Sequence, residues 1–181
     1  MNIDSNGGDG FGQDELVTQI KTMKKPVVAV IRDQALSSGY YVAASTKRIF
    51  ANELSNVADI GLSSSFEYQQ PGSSEWRKCF ISPSNFKIMY RDDCPGLNSL
   101  LYQYEKNRLM RDTIDMASEI AEFRNLSISY ILPLSNGEIF KGSEALQLNL
   151  VDEIGGLHEA RDWLEKETGM QLEIIYLREI S

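Results

Sequence analysis

The chain is 181 residues long, with 18 Lys and Arg against 26 Asp and Glu, a formal net charge of −8 and a pI near 4.7. That length supports one globular domain with its own core, and 42% hydrophobic residues exclude a disordered chain. The acidic balance excludes nucleic acid as a main partner, and apolar runs such as Val27 to Ile31 fall far short of the roughly 20 residues of a membrane helix.

Residues 1–9 read as a strand end running into a Gly7-Gly8 turn. The opening is polar and acidic, with neither the basic start nor the apolar stretch of a signal peptide. From Asp14, the spacing of Leu16, Val17, Ile20 and Met23 predicts a helix, which Lys24-Lys25-Pro26 ends. Val27 to Ile31 is a β-branched run suited to a strand buried on both faces, with residues 32–36 as a loop after it. Ser38 to Ala44 starts a helix with small residues on one side, and Arg48-Ile49-Phe50-Ala51 is a short strand. This alternation predicts βα units around a largely parallel sheet.

Residues 62–86, rich in Ser, Gly, Pro and Gln, read as irregular loop with a strand or two. Leu97 to Arg124 is a long amphipathic helix whose stripe includes Leu101, Tyr104, Leu109, Ile114, Met116, Ile120 and Phe123; it is expected to serve as core or as a subunit interface. Asn136-Gly137 marks a turn, Ser143 to Leu146 a short helix, Leu150-Val151 a brief strand and Gly155-Gly156 a break. Leu157 to Thr168 is the last helix, followed by a strand-like stretch from Leu172 to Leu177. Cys79 and Cys94 have no CxxC spacing and no His cluster nearby, so they are expected to be free thiols, and no metal site is expected. The single histidine, His158, lies in the last helix, far from any triad spacing, and reads as surface or structural.

Two short stretches could carry chemistry. In Asp4-Ser5-Asn6-Gly7-Gly8, a glycine pair after a strand can present bare backbone N–H groups to a developing oxyanion, or can simply turn the chain. In Ala35-Leu36-Ser37-Ser38-Gly39-Tyr40-Tyr41, a serine between a buried strand and a helix is either a nucleophile or a plain N-cap.

Together the two stretches resemble the signal peptide peptidase A family, the S49 serine peptidases, whose usual forms are Asp-Ser-Pro-Gly-Gly and Ala-Ser-Gly-Gly-Tyr. The likeness continues through Lys24-Lys25-Pro26-Val27-Val28-Ala29, Arg48-Ile49-Phe50-Ala51 and Ile60-Gly61. It resumes in Phe123-Arg124-Asn125-Leu126-Ser127, Gly137 to Leu146, Leu150 to Gly156 and Glu159-Ala160, with a divergent middle from about 62 to 100. The resemblance implies an α/β chain of the ClpP/crotonase-like fold, built of ββα units, as a single domain over 1–181 that lacks the strands expected before Ile3. It also implies a ring-shaped or dome-shaped homo-oligomer, a peptide substrate such as a remnant signal peptide, and no cofactor. Membrane association would come through a segment outside this chain, and cellular location is not legible.

By motif position the family's nucleophile falls on Ser37, and its oxyanion donors on the N–H groups of Gly8 and Ser38. The family uses a neutral lysine as general base, whose pKa burial must lower. Its Tyr-Lys-Asp-like motif corresponds to Tyr90-Arg91-Asp92, which puts Arg91 at the lysine's place. An arginine stays charged and is a poor base. Lys87 shares a strand face with position 91 and is the candidate base, with Lys78 a weaker one. Asn6, Ser38 and Ala58-Asp59 also depart from the family forms, and Asp59 would hold a nearby lysine charged. Two readings stand: a serine endopeptidase using Ser37 and Lys87, and a non-catalytic homologue serving as an assembly or peptide-binding subunit. Acyl-CoA chemistry on the same fold has no supporting feature. Ser63 to Tyr68 reads either as a solvated loop or as a sheet edge lining a peptide groove.

Overall fold

The computed structural model describes residues 1–8, 10–69, 72–84 and 100–175. The fold is α/β, with a mixed and mostly parallel sheet. Its centre is β2 (Val28–Leu36). One edge of β2 takes β1 (Asn2–Ser5) along its length. The other edge is shared in tandem: Val28 to Ile31 pair with β3 (Arg48–Ala51), and Gln34 to Leu36 pair with β4 (Asn56–Ala58). All three pairings are parallel. Beyond them lie β8 (Glu153–Ile154), parallel to β3, and β7 (Ile139–Lys141), antiparallel to β4.

Residues 32–36, expected as a loop, are therefore strand. The polar pair Arg32-Asp33 sits where β2 changes partners and is exposed there, while Ala35 and Leu36 return to the core. Side chains satisfy the backbone at the changeover. The Ser55 hydroxyl donates to the Arg32 carbonyl at 2.6 Å, and Asn52 Nδ2 donates to the same carbonyl at 3.1 Å.

The alternation of β2 sorts the helices. Ala29 and Ile31 face the main core, shared with α1 (Gly10–Thr22), α2 (Ser38–Ala44) and α3 (Leu100–Phe123). Val28 and Val30 face the other way, onto Ala160, Leu157 and Trp163 of α6 (Leu157–Thr168). On α3, Leu109, Thr113, Met116, Ala117, Ile120 and Ala121 form the buried stripe, whereas Tyr104 and Ile114 of the expected stripe are exposed. Among the described residues, no helix is long and apolar enough to cross a membrane.

Further differences have local causes. The Ser- and Gly-rich stretch forms a hairpin of β5 (Ser64–Gln69) and β6 (Trp76–Ile81). Cys79 of β6 is fully buried against Ile81 and Leu109 and is disulfide-bonded, which corrects the expectation of free thiols. A helix α4 (Ile128–Leu134) follows α3, with Ile131 buried. After α5 (Gly142–Gln147), Leu150 and Val151 are not a strand. Their N–H groups both turn back to the Ala145 carbonyl, at 2.8 and 3.3 Å, and the strand forms two residues later. Residues 171–175 form no strand, and the rest of the expected C-terminal strand lies outside the described residues.

Candidate functional site

Parallel strands point their C-terminal ends to one edge of a sheet, where ligands of α/β folds gather. Here β1, β2 and β4 end together, and each end carries an unusual turn. Gly7 follows β1 with φ +91°, Ser37 follows β2 with φ 54°, and Ala58 and Asp59 close β4 with φ 85° and 50°. Three of the five non-glycine residues with positive φ among those described lie at this edge, so backbone strain is concentrated there. Such conformations cost on the order of 1–3 kcal/mol each and persist only where the surroundings enforce them.

Ser37 is enforced from two sides. Its N–H donates to the Ala58 carbonyl at 2.8 Å, and its own carbonyl accepts the Tyr41 N–H at 3.0 Å. The second bond belongs to α2, whose residues from Gly39 to Ala44 are all buried, so the turn cannot relax without moving a packed helix. Tyr40 anchors that helix by donating its hydroxyl to the Leu150 carbonyl at 2.9 Å, and Tyr41 donates to the Glu119 carboxylate. Burial pushes the pKa of both phenols upward, and the hydrogen bond from Tyr41 to Glu119 adds to its shift. The β4 turn is held in turn by Asp59, whose N–H donates to the Glu138 carbonyl at 2.9 Å.

The glycine turn lies directly against this serine. A Cβ on Gly7 would fall 2.7 Å from Ser37 Cβ, 2.9 Å from the Leu36 carbonyl oxygen and 3.4 Å from Ser37 Oγ. No side chain fits there. Gly8, by contrast, has nothing within 4 Å of its would-be Cβ. Gly8 and Ser38 both line a cavity of about 390 Å³, with Ile3, Leu16 and Val42 contributing apolar wall. A strained serine at a strand-to-helix turn, with Gly8 and Ser38 on the wall of the adjoining cavity, is an arrangement suited to acyl transfer.

Of the residues singled out in the sequence, Ser37, Ser38 and Gly8 are thus brought to one edge. Lys87 and Arg91 lie outside the described residues, as do Tyr90 and Asp92. Lys78 lies in β6, opposite Glu67 of β5. His158 is exposed on α6, whose core contacts lie on the sheet face opposite α2. The Ser63 to Tyr68 stretch belongs largely to β5. Among the described residues, no three His, Cys, Asp or Glu side chains are grouped so as to hold a metal ion.

Sequence reasoning passed over Ser5 and Gly39. The Ser5 hydroxyl accepts the Gly7 N–H at 3.1 Å, and a Cβ on Gly39 would meet Ser5 Cβ at 3.0 Å. The available signal was a serine two residues before a glycine pair, where a side chain can satisfy a turn's own N–H.

The sequence model of peptidase family S49 matches residues 19–70 and 106–171, well over half of the chain. The chain is similar to "Putative signal peptide peptidase SppA" of Enterococcus faecium, 26% identical over 176 residues, covering 92% of this chain and 50% of the relative. It is also similar to "Serine protease SPPA, chloroplastic" of Arabidopsis thaliana, 27% identical over 88% of this chain and 24% of the relative. "Protease 4" of Haemophilus influenzae is 23% identical over 88% of this chain and 26% of the relative. The chain therefore spans about half the length of the bacterial SppA relative and about a quarter of the other two.

Proposed function

The chain belongs to peptidase family S49, and from that premise we propose that it is a serine endopeptidase in which Ser37 is the nucleophile and Lys87 the general base. The observation that carries this reading is Ser37 itself: a non-glycine residue held at φ 54° at a strand-to-helix turn, in contact with the Gly7 turn.

Two hydrogen bonds support the assignment of the oxyanion donors, which follows motif position. The Ser37 N–H is occupied by the Ala58 carbonyl and the Gly7 N–H by Ser5. The next residue on each side, Ser38 and Gly8, lines the cavity, and its N–H is the proposed donor. In the proposed reaction the neutral amine of Lys87 takes the proton of Ser37 as Oγ attacks the scissile carbonyl. The tetrahedral oxyanion is held by the Gly8 and Ser38 N–H groups. The protonated lysine then gives its proton to the leaving amine, and water hydrolyses the acyl-enzyme through the same base. Arg91, at the family's lysine position, stays charged and is a poor base, so the proposed base is Lys87.

The name of the Enterococcus faecium relative points to signal peptides as the substrate class, and the family resemblance narrows this to remnant signal peptides. The apolar wall of the cavity beside Gly8 is compatible with such peptides. The family also implies the ClpP/crotonase-like fold and a homo-oligomer. The parallel β1, β2, β3 and β4 with interleaved helices support the first, and the exposed Trp76, Tyr104 and Met110 support the second.

A fluorophosphonate probe tests the mechanism. Ser37 should be labelled in the wild type, not in Ser37→Ala, and about 10²- to 10⁴-fold more slowly in Lys87→Ala, the usual span for loss of a general base. Labelling should survive in Arg91→Ala. Absence of labelling even at high pH, where lysine is neutral, would overturn the peptidase reading. Unchanged peptide cleavage by Lys87→Ala would overturn Lys87 as its base.

A further inference from the structure

Ser5 ends β1 at a register irregularity: Ile3 pairs with Ile31, but Ser5 pairs with Ala35, so the ladder slips between them. The extra residues of this slip lie in β2, which advances four positions while β1 advances two. The Ser5 hydroxyl bridges two elements. Its oxygen accepts the Gly7 N–H at 3.1 Å. On its other side it lies against the first turn of α2, where a Cβ on Gly39 would fall 3.0 Å from Ser5 Cβ and 3.2 Å from Ser5 Oγ. Residue 39 must therefore be small for Ser5 to sit there.

Each contact of Ser5 is adjacent in sequence to one of the two proposed oxyanion donors. Gly7 precedes Gly8, and Gly39 follows Ser38. Both donors belong to the wall of the same cavity, as does Ser5. We propose that Ser5 is a positioning residue that fixes the spacing of the Gly8 and Ser38 N–H groups, an inference that rests on the reading of Ser37 as nucleophile. Ser5 need not touch substrate. It holds the glycine turn by a hydrogen bond and keeps that turn at a set distance from α2 by contact with Gly39. An oxyanion hole depends on such support, because donors displaced by even about 1 Å lose on the order of 10²-fold in rate. Removing the hydroxyl leaves the Gly7 N–H without its acceptor and opens a gap beside Gly39, so the turn is free to shift.

Three measurements on the full chain test this. Ser5→Ala should lower kcat on a peptide ester about 10- to 100-fold with little change in KM, the pattern of an interaction felt in the transition state. Ser5→Thr, which keeps the hydroxyl, should recover most of that loss. Independently of catalysis, amide exchange at Gly7 followed by NMR should speed up in Ser5→Ala and return toward the wild-type rate in Ser5→Thr. Unchanged exchange at Gly7 overturns the hydrogen-bond clasp. Normal kcat in Ser5→Ala, with wild-type Ser37 labelled by fluorophosphonate, overturns the positioning role alone. A wild type that is never labelled overturns the nucleophile reading, and the kinetic role of Ser5 falls with it.

Discussion

Gly7 and Ser37 leave no room for a side chain between them: a methyl group on Gly7 would have to sit 2.7 Å from Ser37 Cβ. The two residues belong to different strand ends, and neither position tolerates its neighbour moving. Gly7 also holds φ +91°, a conformation that L side chains rarely adopt. Gly7→Ala is therefore expected to cost about 1–3 kcal/mol of stability and to reduce turnover on the order of 10²-fold, because the turn must retreat from the serine. Gly8→Ala meets nothing within 4 Å, so its stability should stay within about 0.5 kcal/mol of the wild type. Urea unfolding of both variants checks the contrast. Equal destabilisation would show that the two glycines are not distinguished by their surroundings.

A second pair ties elements of the main core together. Arg124, at the end of α3, makes a two-pronged ion pair with Asp152: Nη1 to Oδ2 at 2.9 Å and Nη2 to Oδ1 at 2.7 Å. The guanidinium also donates to the Asn149 carbonyl, and Asp152 Oδ2 accepts the Ile49 N–H at 2.7 Å. One charge cluster thus ties α3, the turn after α5 and β3 together. The Arg124 side chain is only 6% exposed and that of Asp152 28%. Burial works against the guanidinium's charge, but the hydrogen bond to Asp152 and the electrostatic pull of Tyr40 and Asp152 together outweigh it, and the pKa is raised. Arg124→Met should destabilise by about 3 kcal/mol, the low end for breaking a buried pair, because Asp152 keeps some water. The urea midpoint should fall with an unchanged m-value. A shift below about 0.5 kcal/mol would mean the pair contributes no more than a surface bridge.

The helices that alternate with β2 and β3 were legible because their apolar spacing is what packing against a sheet demands. The end of β2 was not. Arg32-Asp33-Gln34 is a polar run that by itself reads as loop, and only the change of partner from β3 to β4 makes it strand. The same limit applies to the site. Ser37 and the Gly7-Gly8 pair could be located by motif, but the close approach of Gly7 to Ser37, which joins two separate strand ends, is a long-range fact. Ser5 was quoted within a motif and given no role of its own. Its partner Gly39 lies 34 positions later, and no local pattern links them.

Cys79 shows how composition misleads. Two cysteines in an acidic chain without CxxC spacing were expected to be free, yet Cys79 is disulfide-bonded and fully buried in β6. Alkylation with iodoacetamide before reduction should therefore leave the mass unchanged. Reduction followed by alkylation should modify the chain and lower its stability by about 2–4 kcal/mol. Alkylation of the untreated native protein would contradict the bond.

Tyr40 and Tyr41 make alkaline pH a probe of the helix that carries Ser37. Both phenols have pKa values raised above the ordinary 10.0, with burial the largest cause, and for Tyr41 the hydrogen bond to Glu119 next. The folded chain therefore holds these protons more tightly than the unfolded chain. Their contribution to stability is complete below the unfolded value of about 10 and is lost as pH rises above it toward the folded values. Thermal unfolding should weaken steeply above about pH 10, and phenolate absorbance should show two of the 8 tyrosines ionising only as the chain unfolds. In Tyr41→Phe the alkaline loss should shrink, because one linked proton is removed. All 8 tyrosines ionising near pH 10 in a still-folded chain would contradict the buried hydrogen bonds that fix α2 and, through it, the turn at Ser37.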